Sequence, residues 1–238
     1  MKHVDLNSLF FPMLNRHPAY MYYNKKGAFY SASNYQSNYD QIAENCKYRC
    51  VYCDATEKEC GGEKFSLDHF RPKDIFANKF DGILVRHPYN LHLSCQKCNV
   101  LKSKDWQGCQ ITIDGYTYAL GKGYVDRFQK NIIEYMCVQE NGRVAITNNN
   151  IGYAQNPAKY MIERLHLNRP NRVYIRQQRI VKQLSKKIDN LMAALTAETL
   201  QAHSDGNRTS EESMQRITKI EKLRNKFRAI FAPVNHSV

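Results

Sequence analysis

The chain has no uninterrupted apolar run near the roughly 18 residues that a helical bilayer span requires, and its mean hydropathy is −0.63. The opening stretch MKHVDLNSLFFPMLNRH contains no signal-peptide apolar segment. A cytoplasmic location without a membrane partner is expected. Acidic residues are scarce: 22 Asp and Glu stand against 35 Lys and Arg, a formal net charge of +13 with a pI near 9.3. An excess of that size points to an anionic partner, nucleic acid first. Cysteine is too sparse for a disulfide scaffold, 8 residues in 238 against the roughly 8–10% such chains carry. Internal repeats and low-complexity segments are absent. With 42% apolar residues at this length, a folded chain buries roughly 70–75% of its unfolded surface, which excludes disorder as the main state.

Four segments follow from the pattern. Residues 1–45 form an arm rich in tyrosine (Tyr20, Tyr22, Tyr23, Tyr30, Tyr35, Tyr39) that leads into a helix expected from about Asn34 to Tyr48. Residues 46–110 hold the unusual chemistry. Residues 111–153 read as a small β layer, with alternating Ile111, Ile113, Tyr116 and Tyr118, and a hairpin turn at Asn141-Gly142. Residues 154–238 are helical. Tyr174, Val181, Leu184, Ile188, Leu191 and Leu195 mark one long amphipathic helix, and a capping box at Thr209 and Glu212 opens a second, expected to pair antiparallel with it.

The cysteines are informative by placement. Cys50-x-x-Cys53 and Cys95-x-x-Cys98 have the spacing with which two thiolates of one turn reach a tetrahedral metal. Chance would give roughly 0.3 such pair in a chain of this length. A structural Zn2+ on Cys50, Cys53, Cys95 and Cys98 is therefore expected. Cys46 is a competing ligand, while Cys60, Cys109 and Cys137 read as free or buried thiols. Between the pairs, Phe65 and Leu67 alternate along a short strand that delivers Asp68 and His69 to its end, and Pro72 stops it. Asn90 to Leu93 reads as the return strand, and Cys95 to Asp105 as a turn running into a helix. His92 shares a strand face with Asn90, and either supports a metal site or packs as a neutral histidine.

In this order, Cys50-x-x-Cys53, Asp68-His69, Asn90, Cys95-x-x-Cys98-Asn99 and Lys102 resemble the HNH family of nucleases. The resemblance covers about 55 residues, Cys50 to Asp105. It implies an α+β fold: a ββα-metal core with a zinc knuckle, here flanked by the N-terminal arm and helix and by a C-terminal pair of long helices. It implies that His69 is the general base, Asp68 and Asn99 ligands of a catalytic Mg2+ or Mn2+, and Asn90 the residue that orients the loop. The chemistry agrees. Hydrolysing a phosphodiester needs a base for water and a cation for the developing charge. Neutral histidine suits the first, and hard oxygen ligands suit Mg2+ or Mn2+ as thiolates suit zinc. Arg71, Lys73 and Lys102 are candidate phosphate contacts.

The segment Ala158 to Arg169, followed by Arg172, Arg176 and Arg179, is similar to one in small HNH proteins of bacterial anti-phage systems of the Septu and retron-associated types. That similarity implies a DNA endonuclease in defence, working beside a partner ATPase. RNA remains an open substrate. From Arg169 on, 14 Lys and Arg face 6 Asp and Glu, either a phosphate-binding surface or the solvated faces of two helices. The alternative to the enzyme is a non-catalytic zinc module that binds nucleic acid and recruits a partner.

Overall fold

The computed structural model describes residues 9–16, 38–147 and 155–231. The expected helix start at Asn34, and all of the arm tyrosines except Tyr39, lie outside them. The chain mixes helices with small antiparallel strand pairs and divides into two compact units, one reaching to Arg176 and one beginning at Gln177.

In the first unit, helix α1 (Tyr39–Asn45) turns its Ile42 and Ala43 inward and ends in two left-handed residues, Lys47 and Tyr48. These reverse the chain into the first cysteine pair. Strand β1 (Ser66–His69) pairs antiparallel with β2 (Leu91–Ser94), Asp68 opposite His92 and His69 opposite Leu91. Helix α2 (Lys73–Phe76) and helix α3 (Ile83–Arg86) fill the connection, and helix α4 (Gln96–Lys102) follows β2 directly. The strand, loop, strand and helix order read from the sequence is thus present. Phe70 is fully buried, stacks on His92 at 4.6 Å and meets the edge of Trp106, the sole tryptophan, at 5.6 Å. This cluster is the core beneath the strand pair.

Strands β3 (Tyr118–Ala119) and β4 (Lys122–Gly123) form a minimal ladder, and β5 (Met136–Val138) with β6 (Val144–Ile146) forms the hairpin expected around Asn141-Gly142. Gly142 has φ of 77°, the left-handed conformation that makes glycine the suitable residue there. The alternation Ile111, Ile113 does not produce a strand. Ile111 is exposed, and its amide donates to Cys109 Sγ. Helix α5 (Ala158–Arg164) leads into the long helix α6 (Pro170–Ser204).

In the second unit, the remainder of α6 and helix α7 (Ser210–Phe231) carry the capping box as expected: Glu212 accepts from the Thr209 amide, and Thr209 Oγ1 from the Glu212 amide. Arg216 pairs with Glu198 and Arg224 with Asp189, an antiparallel sequence of ion pairs. Leu191, Leu195, Met214 and Leu223 of the apolar stripes remain exposed. Among the described residues, no helix is long and apolar enough to cross a membrane.

Candidate functional site

The first cysteine pair is shaped by its own backbone. Asp54, just after Cys53, adopts φ of 63° and donates its amide to the Cys50 carbonyl, closing a tight turn. Its carboxylate is held by Arg49 at 2.8 Å and by Arg127 at 3.6 Å. The Val51 amide donates to Leu93 O at 3.0 Å, pinning the turn to β2. The second pair comes from a helix start: Cys95 caps α4 and Cys98 lies three residues on, so both thiols share one side. The four ligand atoms lie within 4.8 Å of one another, all buried. Burial, then the neighbouring thiols, push the Cys50 thiol well above its ordinary range. Four thiols this close cannot all ionise without a cation among them, and an all-sulfur tetrahedral set suits zinc with no position left for water. Cys46, the expected competitor, stands apart from the cluster and accepts from the Leu93 amide.

The cluster lies at the C-terminal end of β2, where Val51 bonds Leu93 O and Cys95 follows Ser94, and β2 positions β1. His69, at the end of β1, is half-buried, and its Nε2 lies 2.8 Å from the carbonyl oxygen of Val85. A carbonyl only accepts, so Nε2 carries the proton and Nδ1 is the basic nitrogen. Burial lowers the His69 pKa from its ordinary value, more than the bond to Val85 O and the neighbouring Asp68 raise it. The imidazole is neutral at pH 7, the form a general base needs.

Asn90 is fully buried. Its Oδ1 accepts from the Arg71 amide at 2.8 Å, while its Nδ2 donates to Arg71 O at 2.9 Å and Leu84 O at 2.8 Å. It thereby clips the chain leaving His69 to the chain entering β2. Asp68 is 5% exposed; it accepts from the Tyr52 hydroxyl at 2.5 Å and pairs with Lys102 Nζ at 3.2 Å. Lys102, fully buried, also donates to His69 O at 2.9 Å. Asn99 lies half-exposed on α4, one residue past Cys98.

Two of the three expected phosphate contacts are corrected by this geometry. The Arg71 guanidinium is buried, donates to Gly115 O at 2.5 Å and Cys109 O at 3.4 Å, and sits over the Trp106 ring. Lys102 is committed to Asp68 and His69. Both are internal: Arg71 reaches the carbonyls of the 109–115 loop, and Lys102 turns from the end of α4 onto β1. Lys73 alone of the three is exposed. For a hard divalent ion, Asp68 and Asn99 offer donors of the right chemistry, but the Asp68 charge is already balanced by Lys102. They fit Mg2+ or Mn2+ in part, and such an ion ordinarily takes its remaining ligands from water and substrate phosphate. Among the described residues, the cysteines form the one cluster of three or more His, Cys, Asp or Glu side chains that could hold a metal ion.

His92 takes the packing role. It is buried between Phe70 and Phe128, burial drives its pKa well below the ordinary value, and Asp126 lies 3.9 Å from its Nε2. Tyr52 and the Val85 carbonyl contact the site without having been legible in the sequence, while Arg169 and Arg172, read there as part of a basic region, lie against the cysteine sulfurs. Tyr52 lies inside the first cysteine pair, where spacing draws attention to its neighbours, and a backbone carbonyl has no residue signature. Comparison with protein-family models, curated proteins and solved structures found no match.

Proposed function

We propose that the chain is a metal-dependent phosphodiester hydrolase of the HNH type acting on DNA. The observation that carries the reading is the presentation of His69: a neutral imidazole at a strand end, its Nε2 proton committed to Val85 O. Nδ1 then takes a proton from the attacking water, and Val85 O keeps the ring oriented as the imidazolium forms. Asn90 fixes the loop on which that geometry depends, and the Asp68–Lys102 pair ties β1 to α4. A divalent ion, when bound, supplies charge stabilisation for the scissile phosphate. Lys73, exposed four residues beyond the base, is the candidate contact to the substrate backbone.

The test is nicking of supercoiled plasmid in Mg2+ or Mn2+ by wild type and by His69→Ala, with zinc measured on both preparations. Cleavage by the wild type and a loss of about 100-fold or more in the zinc-replete variant are expected, the usual scale for a positioned base. Undiminished cleavage by His69→Ala overturns the assignment. Binding of DNA without divalent-dependent cleavage by either protein marks the non-catalytic zinc module instead.

A further inference from the structure

The cysteine cluster has neighbours that its spacing did not announce. Arg169, between α5 and α6, places its NH2 3.8 Å from Cys98 Sγ and 3.9 Å from Cys95 Sγ. Arg172, in the first turn of α6, places its NH2 3.6 Å from Cys95 Sγ and 3.0 Å from the sulfur of a fifth thiol, Cys60. The Arg169 guanidinium is held in place by carbonyl oxygens, and the Arg172 backbone is tied to Arg169. Arg169 NH1 donates to Leu165 O and His166 O, and the Arg172 amide donates to Arg169 O. Arg176, one turn further on, bonds carbonyl oxygens of Gly142, Leu167 and Cys53 instead of sulfur.

The charge balance gives these contacts a purpose. Four thiolates around Zn2+ leave about two negative charges in a buried site, and buried charge is costly unless paired and hydrogen-bonded. Two guanidiniums supply two positive charges together with N–H donors aimed at sulfur. We infer that the metal centre extends beyond its four sulfurs: Arg169 and Arg172 are its charge-balancing outer partners, and through them the bound metal fixes the turn that starts the long helix. The inference rests on the zinc reading alone and is independent of cleavage. It also removes these arginines from the phosphate-binding surface that the basic C-terminal region suggested.

The test is zinc affinity by competition with a chromophoric chelator, for the wild type, Arg169→Ala/Arg172→Ala, Arg169→Lys/Arg172→Lys, and Arg71→Ala as a buried arginine that bonds the carbonyl oxygens of Cys109 and Gly115, outside the four-cysteine cluster. Outer partners of a metal site typically contribute about 10–100-fold in affinity, so the double alanine variant should weaken zinc by that factor. The lysine pair should recover part of it, keeping charge without the fork, and Arg71→Ala should not alter it. Should the alanine variant fail to fold, hydrogen exchange on the wild type decides: removing zinc should expose the amides of Leu167, Arg169 and Arg172, which are bonded to Ile162 O, His166 O and Arg169 O. Zinc affinity within about twofold of wild type in the arginine variants overturns the inference, as does unchanged protection over 165–176 after zinc removal.

Discussion

Asn90 carries three hydrogen bonds on one buried amide, and all three partners are backbone atoms of the loop behind His69. Asn90→Ala would leave an N–H and two carbonyls without that partner in the core. Its expected cost is on the order of 2–5 kcal/mol, measured by denaturant unfolding of zinc-loaded protein. An unchanged midpoint would mean that the loop does not depend on it. The residue was singled out by its place in the HNH-like order of motifs, between Asp68-His69 and Cys95-x-x-Cys98. Its actual partners were not, since they are main-chain atoms of Arg71 and Leu84. The same limit hid Val85, whose carbonyl decides which nitrogen of His69 is basic. Arg71 misled for a different reason: a cation beside a candidate base looks like a phosphate contact, and only the fold of residues 109–115 shows what it bonds.

At the scale of elements, β1, β2 and α4 are short pieces held by cross-links more than by their own propensity. A two-stranded ladder of four residues is marginal alone. The thiol cluster joins the first cysteine turn to α4, and the Asp68–Lys102 pair joins β1 to the end of the same helix. Breaking one partner of a buried pair leaves an uncompensated charge, so Lys102→Met should cost about 3–5 kcal/mol, and Asp68→Asn with Lys102→Met together should cost clearly less than the sum of the single changes. Additive costs would show that the two side chains do not act as a pair. These elements were legible because turn residues and cysteines punctuate them. The Ile111–Ile113 alternation misled because alternation describes a strand only where a partner strand exists, and here the segment is a loop closed by Cys109 and Thr112. The long helices were legible from period alone, and the capping box marks the start of the second.

Over the whole molecule, the buried histidines contribute to the response to acid. His92, and to a lesser degree His69, have folded pKa values below the ordinary value near 6.5, both chiefly through burial. The unfolded chain therefore binds protons that the folded chain refuses. Their effect on stability is absent above about pH 6.5 and grows as pH falls below it toward the folded values. Thermal melts from pH 8 to 5 should show a plateau and then a decline beginning near 6.5, reduced in His92→Phe if that variant packs between Phe70 and Phe128 as the imidazole does. A decline of equal size in a folded His92→Phe would assign the acid sensitivity elsewhere. The net charge of +13 is also less available than its sum suggests, because Arg71, Lys102, Arg172 and Arg176 are buried. What remains outward is spread over both units: Lys182, Lys186, Lys187, Lys219 and Lys222 on the helices beyond Gln177, and Lys47, Lys58, Lys64, Lys73, Lys97 and Lys104 before it. Composition reported the sign of the charge; burial reports where it can act.

In the proposed reaction, Nδ1 of His69 removes a proton from water during phosphodiester cleavage. Its most direct measurement is cleavage of plasmid DNA by zinc-replete His69→Gly with and without added imidazole, beside the wild type. The variant should be inactive alone and regain part of the wild-type rate as imidazole occupies the space vacated by the side chain, with the restored rate rising as imidazole loses its proton. Wild-type cleavage by His69→Gly in the absence of imidazole would contradict it.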